Sequence, residues 1–306
     1  MDFSALLIKI FIFMVLLATG YLMANKGLLG GGFAKSASTL LLDVFITASI
    51  INAVLGERPA IGSSELWKVM LILTLTTLVG YVIAFLAGLF SKKGEKTAQM
   101  ELLIEVPNTL FVGLPIVQAL YGSEAAFYVG ISCVPFNVIL FTYGVWKLKR
   151  AKAAGNRLNF KDILSPAIIA SIIATVIFVS GVSVPRVLKE LFGTVSGATV
   201  PFSMIVIGAT LGNVSILEAF KGKEVWFISF LRLIIAPLAA YVLVGLFTDN
   251  QVLLLTCMVL AGCPCGTICT PLSIQYGFDP EFSSHLILVT TILSMLILPL
   301  FCVLLF

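Results

Sequence analysis

Two stretches of the sequence combine prolines, glycines and polar residues within otherwise apolar surroundings. The first reads EVPNTLFVGLPIVQALYG, from Glu105 to Gly122, and the second reads AGCPCGTICTPLSIQYG, from Ala261 to Gly277. Proline cannot donate a backbone hydrogen bond and clashes with the carbonyl group four residues earlier, so each stretch is expected to interrupt a helix. A helix that restarts after such a break presents free N–H groups and a positive dipole end, which suit an anion. We therefore predict one anion-binding site from both stretches; prolines that only kink two helices are the simpler alternative.

Nine residues in and around these stretches are candidates for substrate binding. Asn108 and Thr109 follow the first break directly, so their side chains and amides can bond a carboxylate or replace helix hydrogen bonds that the break removes. Gly266, in the corresponding turn, would let a ligand approach the backbone closely, whereas Thr267 could equally bond only its own helix. Asn137 either lines the cavity or bonds a neighbouring helix. The candidates are Pro107, Asn108, Thr109, Gly113, Asn137, Pro264, Cys265, Gly266 and Thr267.

Asp43, Glu105 and Arg232 lie inside predicted apolar spans, where a charge is costly and usually functional. Asp43 and Glu105 are candidates for binding a proton or Na⁺. The alternatives are a structural role for Asp43 and a pairing of Glu105 with a lysine from a loop. Arg232 is expected to extend its guanidinium toward the cytoplasmic headgroups, with neutralisation of a substrate or an acid as the alternative. No metal site is predicted.

The elements that carry these residues are expected to be membrane spans. The chain has 306 residues, of which 59% are hydrophobic and 11% charged, and its mean hydropathy is +1.11. A helix needs about 20 mainly apolar residues to cross the hydrocarbon. We predict an all-α integral membrane protein with ten spans, at about residues 3–24, 36–56, 67–90, 99–120, 124–147, 162–182, 190–214, 225–247, 251–276 and 282–305.

The charge and length of the loops predict the orientation of the chain in the membrane and leave no place for a soluble domain. The lysines and arginines of the loops fall mainly on one side, so the positive-inside rule puts the central Lys147–Asp162 connection in the cytoplasm and both termini outside the cell (inner) membrane. This bias accounts for the net charge of +4, and no nucleic-acid partner is expected. The first span lacks a signal-peptide cleavage motif and is expected to be retained. The short connections leave no room for a soluble catalytic or nucleotide-binding domain.

The two halves of the chain resemble each other. ELWKVMLILTLTTLVGYVIAFLAGLF, from Glu65, aligns with EVWFISFLRLIIAPLAAYVLVGLF, from Glu224, and PIVQALYGSEAAF, from Pro115, aligns with PLSIQYGFDPEF, from Pro271. Each half would hold five spans, and because five is odd the second half must enter the membrane from the opposite side. This predicts two inverted repeats whose interrupted helices, the fourth and the ninth, cross at mid-membrane. Chance similarity between apolar segments is the alternative.

The stretch PNTLFVGLPIVQALYG, followed by SEAAFYVGISCVPFNVILFTYG, resembles the fourth and fifth helices of the auxin efflux carrier family, which comprises the plant PIN carriers and their bacterial relatives. The resemblance extends over essentially the whole chain, and the turn Pro107-Asn108-Thr109 is its most specific element. The PIN carriers have Asn-Pro-Asn where this chain has Val106-Pro107-Asn108. One polar side chain is therefore missing, and auxin itself is not the expected substrate.

The resemblance implies a scaffold formed by residues 1–65 and 151–215, and a mobile transport domain formed by residues 66–150 and 216–306 with the crossing at its centre. It also implies a homodimer through the scaffold, elevator-like movement and organic anions as substrates. We therefore predict a secondary transporter in the lipid bilayer that binds small organic anions, carboxylates in particular, and needs no cofactor. Transport of the anion could be driven by symport with H⁺ or Na⁺.

Three other functions compete with this prediction. Cys263-Pro264-Cys265 resembles the intramembrane metal-binding turn of heavy-metal pumps, because two thiolates beside a helix break can ligate a soft cation. Such pumps need cytosolic nucleotide and phosphorylation domains, so only a metal carrier without ATP would remain. A passive anion channel would have the same sequence features as a carrier. An enzyme is not expected: protease or transferase chemistry would want a Ser/His, paired-Asp or H-E-x-x-H arrangement, and the single histidine, His285 near the start of the last span, argues against most of these.

Overall fold

A computed structural model of the protein describes residues 3–30, 32–55, 65–91, 94–152, 166–212 and 216–304. Within these ranges the chain is helical and contains no β-strand, which confirms the predicted all-α class for this part of the chain. The α-helices are α1 Phe3–Asn25, α2 Phe33–Leu40, α3 Thr47–Leu55, α4 Leu66–Leu89, α5 Glu95–Glu105, α6 Leu114–Ile139, α7 Val145–Ala151, α8 Pro166–Ser180, α9 Arg186–Gly197, α10 Thr199–Leu211, α11 Ile216–Ala219, α12 Lys223–Phe230, α13 Ala236–Gly245, α14 Gln251–Gly262, α15 Cys269–Gln275 and α16 Pro280–Leu304. π-Helical segments join several of them, at Leu41–Ile46, Thr109–Gly113, Leu140–Gly144 and Leu231–Ile235.

Six helical runs in the described ranges are long and apolar enough to cross a membrane. Such runs form helices because lipid offers no partner to an unpaired backbone group. The six are Ser36–Leu55, Leu66–Leu89, Thr109–Ala151, Arg186–Leu211, Lys223–Gly245 and Pro280–Cys302, and three shorter apolar helices cover Phe11–Asn25, Pro166–Ser180 and Gln251–Gly262. The predicted multi-pass membrane protein is thereby confirmed.

The run Thr109–Ala151 is too long for a single span and turns at Gly122. The backbone of Gly122 has φ +75° and ψ −151°. These angles are not helical, and residues other than glycine rarely adopt them. A Cβ atom at Gly122 would meet nothing within 4 Å, so the backbone angle and not crowding requires glycine here. The turn lies between the predicted fourth and fifth spans.

Helices α1 and α10 pack backbone against backbone. A Cβ atom at Gly20 would overlap the carbonyl oxygen of Ile205, and one at Gly208 would overlap that of Leu17. Glycine permits such close approach because it lacks a side chain, as is common where membrane helices pair. This contact fixes α10, whose Thr210 lines the candidate site.

The interrupted stretches predicted from the prolines lie in the interior of the protein. Val106, Val112, Cys263 and Cys265 are all fully buried. Their backbone groups reach neither lipid nor solvent, so each needs a hydrogen-bond partner within the protein.

Candidate substrate-binding site

Two helices are interrupted where the sequence has its prolines. Helix α5 ends at Glu105, Val106 is extended with φ −99° and ψ 101°, and helical structure resumes at Thr109. Helix α14 ends at Gly262, Cys263 leaves the helix with φ −58° and ψ 148°, and α15 begins at Cys269. Each break therefore leaves the backbone N–H and C=O groups of a few residues without their helical hydrogen bonds.

The two breaks lie against each other as an antiparallel pair, with Pro107 opposite Cys265. The amide of Asn108 donates to the carbonyl oxygen of Pro264 at 2.8 Å, and the amide of Gly266 donates to that of Val106 at 2.8 Å. Each break thus supplies hydrogen bonds that the other has lost from its helix. This pairing satisfies the unwound backbone in the interior of the protein.

Two predicted site glycines make room for the crossing. A Cβ atom at Gly266 would lie 2.8 Å from Cγ1 of Val106 and 3.3 Å from the carbonyl oxygen of Pro107. A Cβ atom at Gly113 would lie 2.8 Å from Sγ of Cys263. The space that Gly113 leaves is therefore filled by the second break, and Gly113 does not line the cavity.

Arg232 holds both interrupted helices at their C-terminal ends. Its side chain is 1% exposed, Nε donates to the carbonyl oxygen of Cys263 at 2.8 Å, and Nη1 donates to that of Ile104. The C-terminal end of a helix carries a partial negative charge, so a cation stabilises both ends at once. The expectation that Arg232 extends toward the headgroups is wrong. The signal in the sequence was an arginine within an apolar span, but nothing there indicated its partners.

Glu105 forms a buried cluster with Lys147 and Glu101. Nζ of Lys147 donates to Oε1 of Glu105 and lies 2.9 Å from Oε2 of Glu101. Glu105 is 2% exposed, and its second oxygen has no partner among the residues described. The structure thus has the lysine pairing that the sequence left as an alternative, although the lysine lies on α7 and not in a loop.

A small chamber of about 20 Å³ separates Glu105 from Arg232. Thr109 and Ser132 also line it. Nη2 of Arg232 has no partner in the described part of the chain, and neither has Oε2 of Glu105. One water molecule fits a space of this size and could bridge a donor and an acceptor.

A larger cavity of about 570 Å³ lies beside the crossing. It brings together six of the nine predicted binding residues and one of the two predicted ion-binding acids, but not Gly113, Pro264, Cys265 or Glu105. Those that line it are Pro107, Asn108, Thr109, Asn137, Gly266, Thr267 and Asp43. Residues that the sequence did not single out complete the lining; they include Ser38, Thr39, Thr210, Thr270 and Ser284, and the apolar Phe111, Phe136, Phe141, Ile207 and Ile287.

The polar groups of this lining differ in how well they are bonded. Nδ2 of Asn137 donates to the carbonyl oxygen of Cys133, in its own helix, at 2.8 Å. Asn108 is 4% exposed, and its Nδ2 has no partner among the described residues. Asp43 lies in the π-helical segment Leu41–Ile46, and its side chain is exposed. Asn108 and Asp43 are therefore the groups most able to bind a ligand.

The cysteines offer no metal site in the part of the chain that is described. All six are free and buried. Sγ of Cys265 donates to the carbonyl oxygen of Leu103 at 3.2 Å, and the described ranges contain no group of three or more His, Cys, Asp and Glu that could hold a metal ion. The soft-metal carrier that Cys263 and Cys265 suggested gains no support from this arrangement.

The apolar helices, with a cavity beside the crossing of two interrupted helices, define a multi-pass membrane protein. A family model described as membrane transport protein matches residues 3–158 and 152–302. The chain therefore belongs to this family of membrane transporters, which includes the auxin efflux carriers.

Three similar proteins are named as uncharacterized transporters. One from Methanothermobacter thermautotrophicus is 26% identical over 95% of this chain and 96% of that protein. MJ1031 from Methanocaldococcus jannaschii is 23% identical over 95% of this chain and 96% of that protein. YfdV from Escherichia coli is 24% identical over 81% of each chain. The chain thus covers nearly all of the first two transporters.

Proposed function

We propose that the protein is a secondary transporter that binds a small organic carboxylate at the crossing of the two interrupted helices. The observation that carries the proposal is the side-chain amide of Asn108, which is buried, lacks a partner at Nδ2 among the described residues and lines a cavity of about 570 Å³. A buried donor without a partner costs about 1–3 kcal/mol. A carboxylate that accepts from it would recover this cost.

The helix that restarts after the break supplies further donors. The carbonyl oxygen of Asn108 accepts from the amides of Val112 and Gly113, both at 3.1 Å. The N–H groups of the first turn, from Thr109 to Phe111, precede these bonds and have no partner within the helix. Together with the positive end of the helix dipole they favour a negative group. The phenylalanines of the lining would pack against the rest of a small organic molecule.

The mechanism proposed is an elevator built on ten spans in two inverted repeats. The bonds that hold the crossing come from α5, α14, α16 and the segment that carries Arg232, all within the proposed transport domain of residues 66–150 and 216–306. The cavity lining that faces them includes Asp43, Ala167 and Thr210, which belong to the proposed scaffold of residues 1–65 and 151–215. This division supports a carboxylate site at the crossing that moves with one domain past the other. A homodimer through the scaffold and a cytoplasmic central connection complete the proposal.

Coupling is proposed to involve the acid that the cavity contains. Glu105 is already paired with Lys147, whereas Asp43 lines the cavity. A carboxylate at this depth needs a positive partner. A proton, Na⁺ or a positive group of the substrate itself would serve.

The proposal can be tested by ligand-induced stabilisation of the purified protein. Monocarboxylates and dicarboxylates are screened by thermal shift with and without Na⁺ at two pH values, because a ligand of the folded state raises its melting temperature by mass action. We expect at least one carboxylate to raise the Tm, and Asn108→Ala to remove that rise. Thr175→Ala is the matched control, since it deletes a hydroxyl that bonds the carbonyl oxygen of Ser171 outside the cavity.

A rise in Tm that is unchanged in Asn108→Ala would exclude the proposed site. A separate measurement distinguishes a carrier from a passive channel. Saturable counterflow in proteoliposomes would indicate a carrier, because only a carrier exchanges bound solute across the membrane.

A further inference from the structure

We propose that the substrate is a small zwitterion, in which a carboxylate binds at Asn108 and a protonated amine binds at Asp43. The inference rests on the proposed carboxylate site and narrows its substrate class to molecules of the amino-acid type. It assigns to Asp43 a part of the substrate in place of a coupling ion.

The position of Asp43 is the first support. It lies in the helical run Ser36–Leu55, which is long and apolar enough to cross the membrane, and it lines the same cavity as Asn108. Its side chain is exposed and forms neither a hydrogen bond nor an ion pair with any residue in the described ranges. An acid within a membrane-spanning run typically pairs with a partner or faces a water-filled cavity, and a cation that enters the cavity would pair with Asp43. The cavity is the route by which a cation would come.

The charge of the lining is the second support. Among the described residues that line the cavity, Asp43 is the only one with an acidic or basic side chain. A bound monocarboxylate would bring the total to two negative charges, and a dicarboxylate would bring it to three. The helix dipole at Thr109 offsets only about half a charge. A zwitterion adds no net charge, so it is the carboxylate ligand that this lining opposes least.

The groups around Asp43 suit an ammonium. An ammonium has three N–H donors and no acceptor, so it needs acceptors beyond one carboxylate. Ser38 and Thr39 line the cavity from the same helical run as Asp43. Thr39 precedes Asp43 by four residues and so lies on the same helix face. A cavity of about 570 Å³ has room for both ends of such a molecule.

The experiment compares matched pairs of probes on the full-length purified protein. The probes are the standard amino acids, the carboxylates that lack only the amine, such as propionate for alanine and glutarate for glutamate, and the dicarboxylates malonate and succinate. Binding is measured by thermal shift and then by calorimetry, on the natural sequence, Asp43→Asn, Asp43→Glu and Asn108→Ala. We expect at least one amino acid to bind about tenfold or more tightly than its partner without the amine.

The variants separate this inference from the proposed function. Asp43→Asn is expected to weaken amino-acid binding about tenfold and to leave or improve binding of the partner without the amine, whereas Asp43→Glu keeps most of the preference. Asn108→Ala is expected to weaken both probes. The Tm without ligand shows whether each variant is folded.

Three results would overturn the inference. If dicarboxylates bind and no amino acid does, or if Asp43→Asn changes only the dependence on Na⁺ or pH, the amine site is excluded while the carboxylate site stands. If Asn108→Ala leaves carboxylate binding unchanged, the proposed function fails as well. If none of the probes binds, both proposals are rejected.

Discussion

Asn108 and Val106 have opposite surroundings although they flank the same proline. Val106 is fully buried and does not line the cavity, and its Cγ1 is the atom nearest to a Cβ built at Gly266. Asn108 lines the cavity. Where the PIN carriers have a first asparagine, this chain therefore has a packing residue of the crossing, and Asn108 alone presents a side-chain amide at this turn.

The closeness of the crossing gives a prediction for Gly266. Gly266→Ala puts a Cβ 2.8 Å from Cγ1 of Val106 and 3.3 Å from two carbonyl oxygens, so we expect a loss of about 1–3 kcal/mol from overpacking. Gly245→Ala is the control, because its Cβ would meet nothing within 4 Å and it lies in a helix. The measurement is the free energy of unfolding in detergent micelles.

A double variant identifies the cause of that loss. Adding Val106→Ala to Gly266→Ala removes the atom nearest to the new Cβ. The double variant should therefore lose less free energy of unfolding than the sum of the two single losses, whereas independent effects would simply add. A fully additive result, or a Gly266→Ala protein as stable as the Gly245→Ala control, would show that the crossing has room to spare.

At the scale of helices, the site depends on two interrupted helices whose breaks are stabilised by hydrogen bonds from other segments of the chain. The paired backbone bonds join the breaks to each other, the amide of Cys265 donates to Oγ1 of Thr290 on α16 at 3.1 Å, and Arg232 bonds the ends of α5 and α14. Prolines explain why these helices break. The surrounding donors and acceptors explain why the broken form is stable and held in one geometry.

Arg232 provides the prediction at this scale. Arg232→Met leaves the carbonyl oxygens of Ile104 and Cys263 buried without their donors, and we expect a loss on the order of 3 kcal/mol. The stability of Arg232→Lys should fall between those of Arg232→Met and the natural sequence, because a single ammonium lacks the planar guanidinium fork that donates to both carbonyl oxygens. Thermal unfolding gives the order, and hydrogen exchange of the amides near the end of α5 should rise with the loss.

The control for this series is Arg186→Met. Arg186 pairs with Glu190 on the surface, where both side chains are largely exposed, so its loss should stay within about 0.5 kcal/mol. Equal effects of Arg232→Met and Arg186→Met would mean that Arg232 does not hold the crossing.

For the whole molecule, the sequence predicts some levels of structure better than others. Apolar runs and prolines are local signals, so the multi-pass helical class and the two interrupted stretches could be found from the sequence, whereas the number of ten spans stays a prediction. The partners of Arg232 and Glu105 could not, because Ile104 and Cys263 lie 128 and 31 residues from Arg232 along the chain, and Lys147 lies 42 residues from Glu105. The sequence also cannot distinguish a glycine that admits a ligand from one that admits a neighbouring helix: a Cβ atom at Gly113 would lie 2.8 Å from Sγ of Cys263.

If the transport domain moves past the scaffold, a covalent link between the two domains should stop transport. Nε2 of Gln118, in the proposed transport domain, donates to Oγ of Ser196, in the proposed scaffold, at 3.2 Å. Ser49 and Thr199, whose hydroxyl oxygens lie 2.8 Å apart, both belong to the scaffold. An elevator must break the first contact in each cycle and keep the second. A covalent link at the first position should therefore stop transport, and one at the second should not.

The test uses paired cysteines and a short cleavable thiol reagent. Gln118→Cys with Ser196→Cys should lose uptake of a bound carboxylate into proteoliposomes when linked and regain it when the link is reduced, while Ser49→Cys with Thr199→Cys stays active throughout. The six native cysteines are buried, and so are Ser49, Ser196 and Thr199. Formation of each link is therefore confirmed by mass spectrometry before uptake is measured, and the single-cysteine variants control for modification alone. Undiminished uptake by the linked Gln118–Ser196 pair would rule out a moving transport domain, because a substrate site fixed to the scaffold at that contact cannot travel across the membrane.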